Sequence, residues 1–244
     1  MTYGSLFSGI GGLDLGLDRA GFTCRWQCEI DDYCRRVLEK HWPGVPRFHD
    51  IREINTKELE PVDLICGGWP CQDISIAGAG EGLAGERSGL FYELTRIVGD
   101  LLPRYLLLEN VSAITFRGLG DVLGKLASLG YCVEWHCLQA ADFGAPHIRD
   151  RFFLLADSSG VGVERDRPPR EPVAPLQIAE ELPRRDGPAC RAAYWQTEPG
   201  MGRMVDGVAD WVDRLKGLGN AVLPQITEYF GGQIIAHDRR KKTQ

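Results

Sequence analysis

Short apolar runs alternate with stretches of helical period over the first 156 residues of the chain. Gly4 to Phe7, Cys24 to Glu29, Val62 to Cys66, Arg104 to Glu109, Tyr131 to Leu138 and Arg151 to Ala156 read as strands, each short, apolar and bounded by polar or glycine-containing breaks. Between them, Leu13 to Ala20, Asp31 to Trp42, Gly89 to Leu101 and Leu119 to Leu129 carry apolar residues at helical spacing, with Asp31 and Asp32 where carboxylates favour a helix start. The alternation predicts an α/β fold whose mainly parallel sheet is covered on both faces. In such sheets ligands bind beyond the carboxyl ends of the strands, so the loops after each strand are the places to look for function.

From Asp157 to about Ala192 this pattern stops in favour of prolines and charges, with one short helical candidate at Leu176 to Leu182. The stretch reads as an insertion, a small recognition subdomain or a linker. Regular signal resumes at Val212 to Leu218 and continues in a helix over Gly219 to Ala236, where Pro224 should mark the first turn. The closing DRRKKTQ reads as a frayed basic tail. The expected division is therefore 1–156, an irregular region 157–211, and a C-terminal segment 212–244.

Composition adds exclusions. With 244 residues, 43% hydrophobic and 25% charged, the chain has room for a substantial core and is neither disordered nor a membrane bundle. It contains no run of about 18 apolar residues, and its first residues carry no basic leader, so no membrane is expected and the predicted location is cytoplasmic. Eight cysteines, at 24, 28, 34, 66, 71, 132, 137 and 190, fit a reduced compartment better than a disulfide framework. No metal is expected, because Cys24 and Cys28 share one predicted strand without a second pair and the five histidines are scattered.

The net charge of −6 gives no bulk support to nucleic-acid binding, but the charge is uneven. Residues 1–146 carry 13 Lys and Arg against 20 Asp and Glu, whereas 147–191 carry eight arginines, no lysine and eight acids. Guanidinium groups suit phosphate and base contacts. A solvated arginine-rich loop fits the same composition equally well.

Candidate chemistry gathers after the strands. The first opens into Phe7-Ser8-Gly9-Ile10-Gly11-Gly12, a turn whose glycines admit a ligand to a helix N-terminus, or simply turn tightly. Glu29, twenty residues after Gly9, ends the next strand, where a carboxylate can accept both hydroxyls of a ribose. Asp50, followed by Ile51, ends a third strand and could accept from an adenine amino group or be a plain surface aspartate. Together these residues describe a site for an adenosine-containing cofactor. The fourth strand runs into Gly67-Gly68-Trp69-Pro70-Cys71-Gln72, which holds a cysteine where its thiolate could meet a substrate, although most cysteines are inert. Residues 72–88, rich in glycine, could close over a ligand or form an ordinary surface loop. Glu109 ends the fifth strand, either as a proton donor if partly buried or as a capping or ion-paired group. Further on, Arg149 and Arg151 would point to one side of a strand.

In their order along the chain, FSGIGGLDLGL, CEID, HDI, GGWPCQDIS, ERSGLF, LENV, HIRDR and LGNAVLP resemble the DNA (cytosine-5) methyltransferases, particularly short phage or prophage members. The resemblance covers roughly 1–156 and 195–230. It implies a Rossmann-like methyltransferase fold with S-adenosyl-L-methionine as methyl donor, double-stranded DNA as substrate, and base flipping and DNA methylation in a restriction-modification or phage setting. Cys71 would be the nucleophile and Glu109 would hold ring nitrogen 3 of cytosine. Arg151 would bind the carbonyl oxygen of the base, with Arg149 in support. Phe7, Gly9, Gly11 and Gly12 would border the cofactor, with Glu29 on its ribose, Asp50 and Ile51 on its adenine, and Pro70 and Asn220 at its methionyl end.

Two departures stand out. His147 replaces the family's usual Gln, and the region between Ala156 and Gly219 is short and lacks the family's usual arginine-bearing motif, so recognition would be minimal or helped by a protein partner of an otherwise monomeric enzyme. A tRNA or RNA cytosine-5 methyltransferase and a non-catalytic DNA-binding relative remain open alternatives. A nicotinamide-dependent dehydrogenase fits less well, because the third glycine follows directly at Gly12 instead of after two residues.

Overall fold

The computed structural model describes residues 1–70, 89–116, 118–145, 147–158 and 217–242. Cys71, the loop to residue 88, and nearly all of 157–211, including the helical candidate at Leu176 to Leu182, lie outside the described residues. Seven strands, β1 (Thr2–Leu6), β2 (Thr23–Cys28), β3 (Arg47–Phe48), β4 (Leu64–Gly68), β5 (Tyr105–Val111), β6 (Cys132–Gln139) and β7 (Asp150–Asp157), form one sheet in the order β3-β2-β1-β4-β5-β7-β6. The helices are α1 (Gly12–Ala20), α2 (Asp32–His41), α3 (Gly89–Leu101), α4 (Leu119–Ser128) and α5 (Pro224–Lys242).

β1 to β5 are parallel neighbours, as the alternation predicts. The expectation of parallel pairing fails at the other edge, where β7 runs antiparallel to both β5 and β6. Chain length explains the reversal. Only residues 140–149 separate β6 from β7, too few for a crossover helix, so the two strands form a hairpin around a 3-10 turn at Ala140–Phe143.

The sheet is buried on both faces, which is why its central strands read as nearly continuous apolar runs. Leu6, Ile65, Leu106, Leu108, Phe152 and Leu154 form one core with Phe91, Leu94, Ile97 and Val98 of α3. Tyr3, Leu64, Leu107, Phe153 and Leu155 form the other with Leu13 and Leu17 of α1 and Ile226, Phe230 and Ile234 of α5. Helices α1 and α5 approach closely because both lack side chains at the crossing. A Cβ on Gly16 would lie 2.3 Å from the Pro224 carbonyl oxygen, and one on Gly231 would lie 2.6 Å from Ala20 Cβ.

Asp31 starts α2 as expected, its Oδ1 accepting the Tyr33 and Cys34 amides at 3.0 and 3.1 Å. The helix expected from Gly219 is corrected at its start: a helical turn over residues 217–220 breaks at 221–223, and α5 begins at Pro224, as a proline lacking an N–H can. The helix does not end at Ala236, however, and the expected frayed tail is corrected: residues 237–242 stay helical. Asp238 is buried and paired with Arg104, and His237 stands 3.4 Å from Asp157, so this turn docks on the sheet instead of fraying.

Candidate functional site

The carboxyl ends of β1, β2, β4 and β5 open on one edge. Because β7 is reversed, its beginning faces that same edge, with Arg151 opposite Val111.

After β1 the chain turns through left-handed conformations at Phe7 (φ 54°), Gly9 (φ 54°) and Gly11 (φ 85°), the first of them strained for a residue with a side chain. The three glycines differ in role. A Cβ on Gly9 would meet nothing within 4 Å, so its backbone borders open space. On Gly11 it would strike the Trp42 ring at 2.6 Å, and on Gly12 the Val222 carbonyl oxygen at 2.5 Å, so these two glycines serve internal packing. Glu29 clasps the turn: its Oε2 accepts the Gly9 amide at 2.7 Å and its Oε1 accepts the Asp31 amide at 2.8 Å. Each oxygen keeps lone-pair capacity for a ligand hydroxyl.

Beneath the turn lies a buried polar chain that sequence reasoning did not single out. Ser8 Oγ donates to Ser5 Oγ at 2.8 Å, Ser5 Oγ to Asp14 Oδ2 at 3.1 Å, and Gln27 Nε2 to Asp14 Oδ1 at 2.8 Å. All four residues are buried, and burial pushes the Asp14 carboxyl up to about 6 despite the bonds from Gln27 and Ser5.

Asp50 follows a strand of only two residues and caps the 3-10 turn Ile51–Glu53. Its carboxylate pairs with Arg52 at 2.5 Å, and the hydrogen bonds from Arg52 hold it below the usual carboxylate range. Ile51 is buried beside it.

At the end of β4 Trp69 is buried and Pro70 exposed. Asn110 Nδ2 donates to the Trp69 carbonyl at 3.1 Å, tying the exit of β4 to the end of β5. Glu109, next to it, is 8% exposed, and its Oε1 stands 3.1 Å from Nε of Arg151. A Cβ on Gly68 would lie 2.7 Å from Oε2 of Glu109, so the glycine makes room for the carboxyl. Burial raises the Glu109 carboxyl to about 7, with Arg151 and then Arg149 pulling the other way.

Both arginines do bear on Glu109, but the reason expected from strand alternation is corrected. β7 begins at Asp150, and Arg149 precedes it in a left-handed conformation with φ 27°. A turn, and not the pleat, directs its side chain. Nη1 of Arg149 donates to the Gly219 carbonyl at 2.8 Å, while its Nε and Nη2 are buried without a hydrogen-bond partner among the described residues. Burial, then Arg151, lower its pKa. Asn220 is exposed next to that carbonyl, and the space beside Gly217 is bounded by Ile10 Cγ2, 3.0 Å from where a Cβ would stand. The 217–222 segment thus touches both the glycine turn and the arginine side. Among the described residues no cluster of His, Cys, Asp or Glu could hold a metal, and no helix is long and apolar enough to cross a membrane.

The sequence profile of the C-5 cytosine-specific DNA methylases matches residues 1–181. Type II methyltransferase M2.BsuMI of Bacillus subtilis (strain 168) is 41% identical over 160 residues, covering 62% of this chain and 41% of that protein. M.NgoBI of Neisseria gonorrhoeae is 38% identical over 160 residues, covering 64% and 50%. The chain therefore spans half or less of these two relatives. Against M.AquIA of Picosynechococcus it is 33% identical over 189 residues, covering 69% of the chain and 76% of that protein. Among solved structures, a DNA modification methyltransferase encoded within an E. coli prophage superposes with a TM-score of 0.54 at 28% identity, covering 73% of this chain and 53% of that one. Spodoptera frugiperda DNMT2 superposes at 0.56 with 22% identity, covering 74% and 60%, a likeness of fold.

Proposed function

The chain belongs to the C-5 cytosine-specific DNA methylases, and from that premise we propose that it methylates carbon 5 of a cytosine flipped out of duplex DNA. The observation that carries the reading is Glu109, a carboxyl raised to about 7 by burial and held 3.1 Å from Arg151 at the edge where β4 and β5 end. Such a group is substantially protonated near neutrality and can give a proton to a ring nitrogen, which an ordinary glutamate cannot.

S-adenosyl-L-methionine, the methyl donor of this family, supplies an electrophilic methyl group when bound. The open space beside Gly9 and the lone pairs left on the Glu29 carboxylate fit an adenosine with its ribose. Phe7 and Gly9 would border it, Gly11 and Gly12 would shape the turn, Asp50 and Ile51 would meet the adenine, and Pro70 and Asn220 the methionyl end.

Carbon 5 of cytosine is a poor nucleophile, and the chain's residues address that. The Cys71 thiolate would add to carbon 6, forming a carbon–sulfur bond, while the Glu109 carboxyl gives its proton to nitrogen 3 and takes up the displaced charge. Arg151 would donate to the carbonyl oxygen of the base and Arg149 would support that side. Carbon 5, now enamine-like, can take the methyl group. Loss of the carbon 5 proton to a base then expels the Cys71 thiolate, and return of the nitrogen 3 proton to Glu109 restores the ring and the carboxyl. Flipping the nucleotide costs a few kcal/mol, which contacts from the protein must offset. Residues 157–211 are the proposed target-recognition region of a monomeric enzyme in the cytoplasm, helped by a protein partner.

The test is transfer of a tritiated methyl group to mixed-sequence duplex DNA and to tRNA, using wild type and Cys71→Ser in parallel. Incorporation as 5-methylcytosine in DNA, lost in the variant, is the expected result. Incorporation in tRNA alone would move the substrate to RNA, and no transfer to either would leave a binding protein.

A further inference from the structure

Asp14 is a wholly buried carboxylate that the proposed chemistry does not use. It sits in the first turn of α1, behind the glycine turn, and both of its oxygens accept hydrogen bonds from neighbouring strands: Oδ2 from Ser5 of β1 and Oδ1 from Gln27 of β2. Ser5 Oγ in turn accepts from Ser8, the second residue of the turn. The carboxylate gives this chain its sense. An acceptor at the inner end makes the Ser5 hydroxyl point inward and leaves its oxygen lone pairs for the Ser8 hydroxyl. Ser8 is further fixed by its amide, which donates to the Cys28 carbonyl at 3.2 Å, and by its carbonyl, which accepts the Gly11 amide at 2.9 Å. The next residue, Gly9, presents its amide to Glu29.

We propose that Asp14 is a positioning residue for the methyl donor: as the terminal acceptor of the Ser8 and Ser5 hydroxyl chain, it sets the backbone path of residues 7–11 against which the cofactor binds. The cofactor half of this statement rests on the methyltransferase reading. The anchoring half does not.

Two further observations support it. Burial raises the Asp14 carboxyl, so its ionised form costs stability at neutral pH that a neutral residue of the same shape would not. Phe7 also holds a left-handed conformation, which for a residue with a side chain persists only where the surroundings impose it. Few other groups facing Asp14 carry charge near neutrality. Burial raises the Tyr3 hydroxyl and the Cys24 and Cys66 thiols, keeping them neutral. Asp18, one turn on, accepts from the Tyr3 hydroxyl at 3.0 Å and from the Trp42 indole at 2.6 Å. From β3, Arg47 reaches Oε1 of Gln27 at 3.1 Å, and on the α5 side Arg19 pairs with Glu228 at 3.9 Å.

The test compares wild type, Asp14→Asn and Ser8→Ala in the full chain by amide hydrogen exchange in the free protein and by calorimetric titration with S-adenosylhomocysteine at pH 5.5 and pH 8. The side-chain amide introduced by Asp14→Asn would donate where the carboxylate accepts, so the Gly9 and Gly11 amides should exchange about tenfold faster, and affinity at pH 8 should fall about tenfold, the scale of one lost hydrogen bond. Wild-type affinity should weaken severalfold from pH 8 to pH 5.5, as Asp14 takes up a proton, while Asp14→Asn shows no such dependence. A merely structural Asp14 would change the melting temperature and leave these readouts alone. If Asp14→Asn does not fold, Ser8→Ala, which keeps the carboxylate and cuts the last link, should show the same changes in smaller degree. Wild-type exchange and wild-type affinity in the folded variants would overturn the proposal. A wild-type chain that binds no S-adenosylhomocysteine would overturn the methyltransferase reading and the cofactor half with it, while the exchange rates decide the anchor.

Discussion

Nε of Arg151 stands 3.1 Å from Oε1 of Glu109, and yet the carboxyl is raised and not lowered. Burial outweighs an adjacent cation here, and the pair therefore sets a proton donor near neutrality beside a guanidinium.

Glu109→Gln removes the transferable proton and should reduce kcat by about 10²- to 10⁴-fold, the usual contribution of a general acid. In the wild type, kcat/KM should fall as pH rises through about 7, the value to which Glu109 is raised. A pH–rate profile checks both, and a Gln variant within threefold of wild type would refute the role.

The same raised pKa has a consequence for stability with a definite sign. A carboxyl raised in the folded chain contributes stability that is present below the unfolded value of 4.5 and lost as pH rises through about 7. Glu109→Gln, which mimics the neutral form, should match wild type near pH 4.5 and exceed it at pH 8 by on the order of 2–3 kcal/mol. Denaturant titrations at the two pH values measure the difference.

Gly68→Ala would put a methyl group 2.7 Å from Oε2 of Glu109, at the end of a side chain that can yield. Stability should drop by only about 1 kcal/mol, while displacement of the carboxyl costs roughly 10²-fold in kcat. Comparable losses of stability and activity in matched melts and assays would count against the geometry.

Gly16→Ala meets backbone instead, 2.3 Å from the Pro224 carbonyl oxygen, so the contact cannot be relieved by a side chain turning away. About 2–3 kcal/mol of stability should be lost, with faster amide exchange in α5. An unchanged denaturation midpoint would show that α1 and α5 can part at no cost.

Arg104→Ala removes the guanidinium paired with the buried Asp238 and should cost about 1–3 kcal/mol, the scale of a hydrogen bond to a charged group. A midpoint in urea that does not move would return the end of α5 to the frayed state the sequence suggests.

Much of this architecture is legible because it rests on local rules. The apolar runs from Leu64 to Cys66 and from Leu106 to Leu108 read as central strands, since burial on both faces leaves no polar alternation to confuse. Asp31 declares a helix start through its own cap bonds. What the sequence hides is relational. The reversal of β7 lies in a connection length and not in the strand residues, and the helical run DRRKK looks like a solvated tail because only tertiary structure brings Arg104 to Asp238. Glu29 and Glu109 can be nominated from their places after strands, but Asp14 cannot, since an aspartate in a first helical turn ordinarily serves the dipole. The shared direction of Arg149 and Arg151 follows for a reason that period-two alternation does not contain.

The reversed strand also fixes where the chain leaves the sheet after β7. β7 enters at the reactive edge with Arg151 and leaves at the far edge, where Asp157 pairs with Tyr105 and the Ser158 amide donates to the Arg104 carbonyl. Eight residues of strand separate these levels by roughly 25 Å. The described chain resumes at Gly217 beside Ile10, back at the reactive edge. Ser158 and Gly217 thus stand as two fixed points on opposite rims of the sheet. On the proposal that residues 157–211 recognise the target, a segment taken from another protein has only to match those two moorings to be carried, and specificity becomes an exchangeable cargo on an unaltered frame.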